Sequence, residues 1–183
     1  MQHPFFNRLA FSAILALGAQ GAMAQSVYGE VGYAAMTTKL SVPLIGLSAS
    51  AKPTMARALI GVSPFGGLSF EGIASGSLSS DNFISKGLNG SSLGNAEVSQ
   101  ILGLYVGSRL GLGPVEVFGR VGMAKSKVKF NGLGSSNDTD VSYGGGVRLL
   151  PMGNVTLSAD YMNYLNKGGA RIEGYTLSVG YKF

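Results

Sequence analysis

A two-residue alternation of apolar with polar side chains, repeated in eight segments of about ten residues, constrains this chain more than any other feature. Strand geometry sends successive side chains to opposite faces, so each segment separates into two sets. Residues 27–35 place Val27, Val31, Tyr33 and Ala35 on one face and Glu30 on the other. The same reading applies to 55–63, 67–76, 98–110, 115–124, 141–149, 155–163 and 173–183. In the fourth segment Val98, Leu102, Leu104, Val106 and Leu110 oppose Tyr105, Gly107 and Arg109. None of the eight apolar faces carries an Asp, Glu, Lys or Arg. The opposite faces carry Glu30, Arg57, Glu71, Arg109, Glu116, Arg120, Arg148, Asp160 and Lys182, five basic groups against four acidic ones.

The connections alternate in length. Short turns are expected at Ser63-Pro64-Phe65-Gly66, Gly111-Leu112-Gly113-Pro114 and Leu150-Pro151-Met152-Gly153-Asn154, all built from turn-forming residues. Longer Ser/Gly/Asn-rich connections are expected around 37–54, 77–97, 125–140 and 164–172. Short turns on one rim and long loops on the other are the pattern of a transmembrane β-barrel, with the short turns periplasmic. Eight strands enclose a space that side chains just fill, so the inner charges are expected to pair in a packed network.

Composition removes the competing classes. Charged residues make up 13% of the chain against an average of about 25%, which is incompatible with disorder driven by charge and low hydrophobicity. The formal charge of +5 does not mark a nucleic-acid binder, because the basic residues do not cluster. There is no Cys, which excludes a disulfide scaffold. Residues Met1 to Arg8, the apolar run Leu9 to Gly18 and the small-residue site Ala22-Met23-Ala24 have the three-part layout of a secretory signal peptide. Residues 1–24 are therefore expected to be cleaved, leaving a barrel domain over 25–183. His3, the only histidine, lies in the cleaved part. No later apolar run is long enough to span a membrane as a helix.

The chemical motifs are weak. Gly144-Gly145-Gly146 lacks the Lys-Ser/Thr and following helix of a phosphate loop. Ser135 to Asp140 lacks the Gly and terminal Glu of a calcium loop. Without histidine or cysteine in the expected mature chain, no nucleophile-base pair of the usual kind is available. No catalytic residue, cofactor or metal is expected. Lys125, Lys127 and Lys129 continue the apolar parity of Val121 and Met123 beyond the membrane band, where they either contact lipopolysaccharide phosphates or form a solvated basic loop that aids solubility.

The closing Tyr175-x-Leu177-x-Val179-x-Tyr181-x-Phe183, the opening Val27-Tyr28-Gly29-Glu30-Val31-Gly32-Tyr33 and Val117-Phe118-Gly119-Arg120-Val121-Gly122 resemble the small eight-stranded outer-membrane β-barrels of Gram-negative bacteria, of the OmpA transmembrane-domain and OmpX/Ail type. The resemblance covers the expected mature chain and implies an all-β, eight-stranded antiparallel barrel in the outer membrane. It implies that the terminal aromatic segment is a signal for the barrel-assembly machinery. Further implied partners are outer-membrane lipid, lipopolysaccharide included, and an extracellular ligand of the loops. With no Trp, Tyr33, Tyr143, Tyr161, Tyr175, Tyr181 and the phenylalanines are expected to form the interfacial girdles. The expected role is envelope integrity or surface interaction and adhesion through loops and rim; the alternative is a small pore for ions or small solutes.

Overall fold

The computed structural model describes residues 26–42, 47–65, 67–79, 84–85, 96–130 and 134–183. The expected signal segment, residues 1–24, lies outside the described residues. The described residues form ten strands: β1 (Ser26–Val42), β2 (Leu47–Ala51), β3 (Thr54–Phe65), β4 (Leu68–Ser79), β5 (Ile84–Ser85), β6 (Ala96–Leu112), β7 (Val115–Phe130), β8 (Gly134–Met152), β9 (Val155–Lys167) and β10 (Ala170–Lys182). Eight of them form one antiparallel sheet in the order β1-β3-β4-β6-β7-β8-β9-β10, and β10 pairs back onto β1. The closing ladder runs from Tyr28 opposite Lys182 to Leu40 opposite Ala170. Closure leaves no edge in the barrel wall. The short strands β2 and β5 extend the sheet outward from the upper part of β1.

The three tight turns lie together at one rim, where Gly67, Gly113 and Gly153 take positive φ of 92°, 70° and 55°. Any other residue would be strained there. At the opposite rim the structure departs from the expected long loops. Strands β7 and β8 continue through most of 125–140, pairing from Ala124 opposite Asp140 to Phe130 opposite Gly134. Strands β9 and β10 likewise replace the loop at 164–172 with a turn at Gly168-Gly169. Pairing with a neighbour already in register overrides the low strand propensity of Ser, Asn and Asp.

Side-chain alternation divides the wall into an outer apolar face and a packed interior. Leu104 is 76% exposed and Leu177 69%, whereas Ile101 and Met162 are fully buried. Val98 corrects the expected outer face. It is buried inside, because a bulge between Val98 and Gln100 inserts one residue and reverses the parity of β6 above it. The interior is stratified. Its half nearest the tight turns holds the charges, and the opposite half is closed by Met36, Met55, Val98, Ile101, Met162, Leu165 and Ile172. Glycine makes the close packing possible. A methyl group at Gly61 would overlap the Tyr28 ring, and one at Gly144 would overlap the Met162 sulfur.

Candidate functional site

The charged half of the interior is built in layers from side chains that the inward parity of different strands brings together. Nearest the tight turns, Lys182 Nζ lies 2.7 Å from Glu116 Oε1 and Arg148 donates to Glu116 Oε2 at 3.2 Å. Arg109 stands beside them. Its guanidinium donates to Ser26 Oγ at 2.9 Å and lies 5.6 Å from the centre of the Tyr28 ring, meeting no carboxylate among the described residues.

One layer further in, Arg148 donates through Nε and a terminal nitrogen to Glu30 Oε1, at 2.9 and 2.5 Å. Ser158 donates to the other Glu30 oxygen at 2.9 Å. The Arg148 guanidinium lies between the Tyr28 and Phe118 rings, 4.8 and 5.1 Å from their centres. Aromatic faces attract such a cation when it is desolvated. Phe118 is thus a lumen residue and not a girdle one, a correction to the expected placement of the phenylalanines. Its parity within β7 matches Glu116 and Arg120, a signal present in the sequence.

Glu71 accepts hydrogen bonds from the Tyr28 hydroxyl and from Ser69 Oγ, the latter at 3.2 Å. Arg120 Nε approaches its other oxygen to 3.0 Å without an aligned hydrogen bond, while the guanidinium stacks 4.6 Å from the centre of the Phe118 ring. Uppermost, Arg57 and Asp160 form a two-pronged pair, one prong at 2.7 Å, and Arg57 also reaches Ser178 Oγ at 3.3 Å. Two-pronged geometry is the stronger form of the guanidinium-carboxylate contact. The four acidic groups each meet an arginine, and Arg109 is the cation left over.

The apolar layer above these pairs, with Tyr105 and Tyr164, is not contained in a reading that follows only the charges. Tyr105 donates to Ser142 Oγ at 3.0 Å, and Ser142 in turn donates to the carbonyl of Asn163 at 2.7 Å. Met36, Met55, Ile101 and Met162 share the parity of the inner charges on their strands, which is the signal that locates them. Among the described residues no group of three His, Cys, Asp or Glu side chains is placed to hold a metal ion.

The outer surface carries the remaining candidates. Lys125 is exposed and Lys127 half-buried on the upper part of β7; the Lys129 side chain lies outside the described residues. Tyr175, Leu177, Val179 and Tyr181 face outward on β10, Phe183 is exposed just past its end, and the Phe183 amide donates to the Val27 carbonyl at 2.8 Å. The Tyr181 and Phe183 rings pack edge to face, 5.2 Å apart. Near the opposite rim Tyr33, Tyr143, Tyr161 and Tyr175 line the outside, with the Tyr161 and Tyr175 rings 5.0 Å apart. Above them the Tyr161 hydroxyl donates to Glu173 at 2.5 Å, and Arg171 and Lys39 stand beside the same carboxylate. Asp140 accepts hydrogen bonds from the backbone amides of Asn166 and Val141.

A closed eight-stranded wall with an apolar outside, a polar inside and a tyrosine belt is the architecture of a small membrane barrel. Residues 9–183 match the model of the outer membrane protein beta-barrel domain family. The chain belongs to this family. Among solved structures, Ail, the attachment invasion locus protein of Yersinia pestis, is similar at a TM-score of 0.60 and 18% identity. The match covers 88% of this chain and 100% of that one, and the Ail crystals held the heparin analogue sucrose octasulfate. OprG from Pseudomonas aeruginosa gives a TM-score of 0.65 at 11% identity, covering 89% of this chain and 98% of that one. Neisserial surface protein A gives 0.56 at 20% identity, covering 90% and 100%. A search of curated protein sequences finds no match. As an outer-membrane barrel of this family, the protein crosses the membrane with strands. In outer-membrane barrels the short turns face the periplasm and the longer connections face outward.

Proposed function

We propose that this protein is a sealed barrel that serves envelope integrity or surface interaction and adhesion through its extracellular loops and rim. The observation that carries this reading is the packing of the lumen: the Arg148 guanidinium, bonded to Glu30, lies over the Tyr28 and Phe118 rings, beneath a layer that includes Met36, Met55, Ile101 and Met162. A hydrated ion would have to break a buried pair and then displace the packed side chains of that layer, both costly steps. Purified protein in planar bilayers is expected to give no sustained single-channel conductance. Stable, voltage-independent openings would favour the pore reading instead.

We assign the protein no catalytic role, since neither histidine nor cysteine occurs among the described residues. Its closest environment is lipid. Lys125, Lys127 and Lys129 are assigned to the phosphates of lipopolysaccharide, supported by the exposure of Lys125 just beyond the outward-facing Met123. Changing all three to Gln is expected to lower thermal stability in lipopolysaccharide-containing bilayers more than in zwitterionic ones; equal losses would remove the assignment. The outward Tyr175 to Phe183 stripe is assigned to recognition by the assembly machinery. Deleting Phe183 is expected to reduce the amount of folded, membrane-inserted protein in cells while the total synthesised stays constant, and unchanged insertion would count against that role.

A further inference from the structure

We propose that Lys39 and Arg171 form a second binding site for the phosphate of an outer-leaflet lipid headgroup, across the barrel from the lysines of β7. The inference extends the reading of the outer rim as a lipid-contacting surface. Lys39 on β1 stands directly opposite Arg171 on β10 at the closing seam, and both share the outward parity of Tyr33 and Tyr175. Like charges directly opposite on one face of a sheet destabilise it. Among the described residues one carboxylate stands between them: Glu173 lies 2.7 Å from Arg171 and 3.5 Å from Lys39. The cluster keeps a net positive charge.

Three observations turn this local conflict into a site for an anion. The carboxylate is already consumed, since its side chain is 14% exposed and it also accepts from Tyr161. The cations remain available, with the Lys39 side chain 55% exposed and that of Arg171 46%. Arg171 is oriented from one side, its terminal nitrogen meeting both Glu173 and the Tyr161 hydroxyl, the latter at 3.4 Å. The remaining guanidinium donors have the planar fork that suits a phosphate, and Lys39 adds a point charge.

The height of the cluster identifies the source of the phosphate. Tyrosines mark the membrane-water interface, and Tyr175 opposes Tyr161 on β9 and Ala35 on β1. Arg171 lies four residues above Tyr175, about 13 Å along the strand and about 10 Å along the membrane normal at the usual tilt. The Arg171 guanidinium, 3.4 Å from the Tyr161 hydroxyl, reaches back down to the headgroup level that the tyrosines mark. In the closed order β1 and β10 are diametrically opposite β6 and β7. Two phosphate contacts on opposite sides would fix the depth and tilt of the barrel as a single contact cannot.

The test uses the full folded chain in phosphatidylcholine vesicles, with or without diphosphorylated lipid A, and with lipid A stripped of its phosphates as control. Phosphorylated lipid A is expected to raise the unfolding temperature of the wild type, by mass action on the folded state. K39Q/R171Q is expected to lose about half of that rise while matching the wild type in phosphatidylcholine alone. E173Q, which keeps both cations and removes the competing charge, is expected to enlarge the rise. Inorganic phosphate and soluble heparin are expected to leave the unfolding temperature unchanged. An undiminished rise in K39Q/R171Q overturns the site, as does an equal loss in plain phosphatidylcholine, which would mark the pair as structural. A shift with heparin that K39Q/R171Q abolishes would reassign the site to a soluble polyanion and overturn the lipid proposal. K125Q/K127Q separates the two readings: a loss there alone leaves the lipid-contacting rim intact and removes only this site, whereas no loss in either double variant removes both.

Discussion

Arg148→Ala is expected to cost the folded barrel about 3–5 kcal/mol, the loss typical of breaking a buried pair from one side. The guanidinium is 1% exposed and supplies both nitrogen contacts to Glu30 Oε1, so its removal leaves that carboxylate buried with Ser158 as its remaining hydrogen-bond donor. It also removes one of the two cations on Glu116 and the filling between the Tyr28 and Phe118 rings. Urea unfolding in lipid vesicles measures the loss. Arg120→Ala is expected to cost less, because Arg120 makes no aligned hydrogen bond to Glu71, yet more than Lys39→Ala in zwitterionic lipid. The double change Glu30→Gln with Arg148→Met should recover much of the stability, since it leaves no unpaired charge behind. A loss below about 1 kcal/mol for Arg148→Ala would mean that water reaches Glu30, contrary to a sealed lumen.

The second large effect is expected on the outside. Leu104→Arg should destabilise by about 2–4 kcal/mol, the range for a cation on the lipid face at mid-membrane. Leu104 is 76% exposed and sits halfway along β6, between Gly72 on β4 and Met123 on β7. Leu112, on the same face beside the Gly113 turn, lies at the membrane interface on the tight-turn rim, where the same change should cost about 0–1 kcal/mol. The contrast between these positions is the informative quantity, measured by unfolding in the same vesicles. Equal effects at the two depths would contradict the placement of Leu104 in the hydrocarbon.

Parity was readable in the sequence wherever a strand runs without interruption. Leu177 faces out and Ser178 faces in because the two-residue period of β10 is unbroken there. The tight turn at Gly113-Pro114 was equally readable, since its chemistry is local. Val98 was not, because the bulge beside Ser99 depends on how β6 meets β7 and leaves no mark in the alternation itself. The hairpin that carries β7 to Phe130 was hidden by residues that favour loops when considered alone. Among the inner charges, the face was available from alternation but the partners were not. Arg57 and Asp160 are 103 residues apart in the chain, and Arg148 and Glu30 are 118 apart. Such pairings follow from which strands stand across the lumen, a property of closure. The apolar layer is legible through parity alone: Met36 and Met162 share the inner face of Glu30 and Asp160, although no charge marks their level.

The seam between β1 and β10 has a kinetic consequence. Its ladder joins residues near the two ends of the described chain, Tyr28 to Lys182 at one end and Leu40 to Ala170 at the other. Contacts of such sequence separation give the fold a high contact order, and the loop-closure entropy must be met before they reward it. Until the last strand is in place, both would-be partners expose unpaired amides and carbonyls, which hydrocarbon does not tolerate. The sheet therefore cannot enter the bilayer strand by strand as a stable ribbon. Insertion and closure have to be concerted, with the free edges of β1 and β10 shielded until they meet.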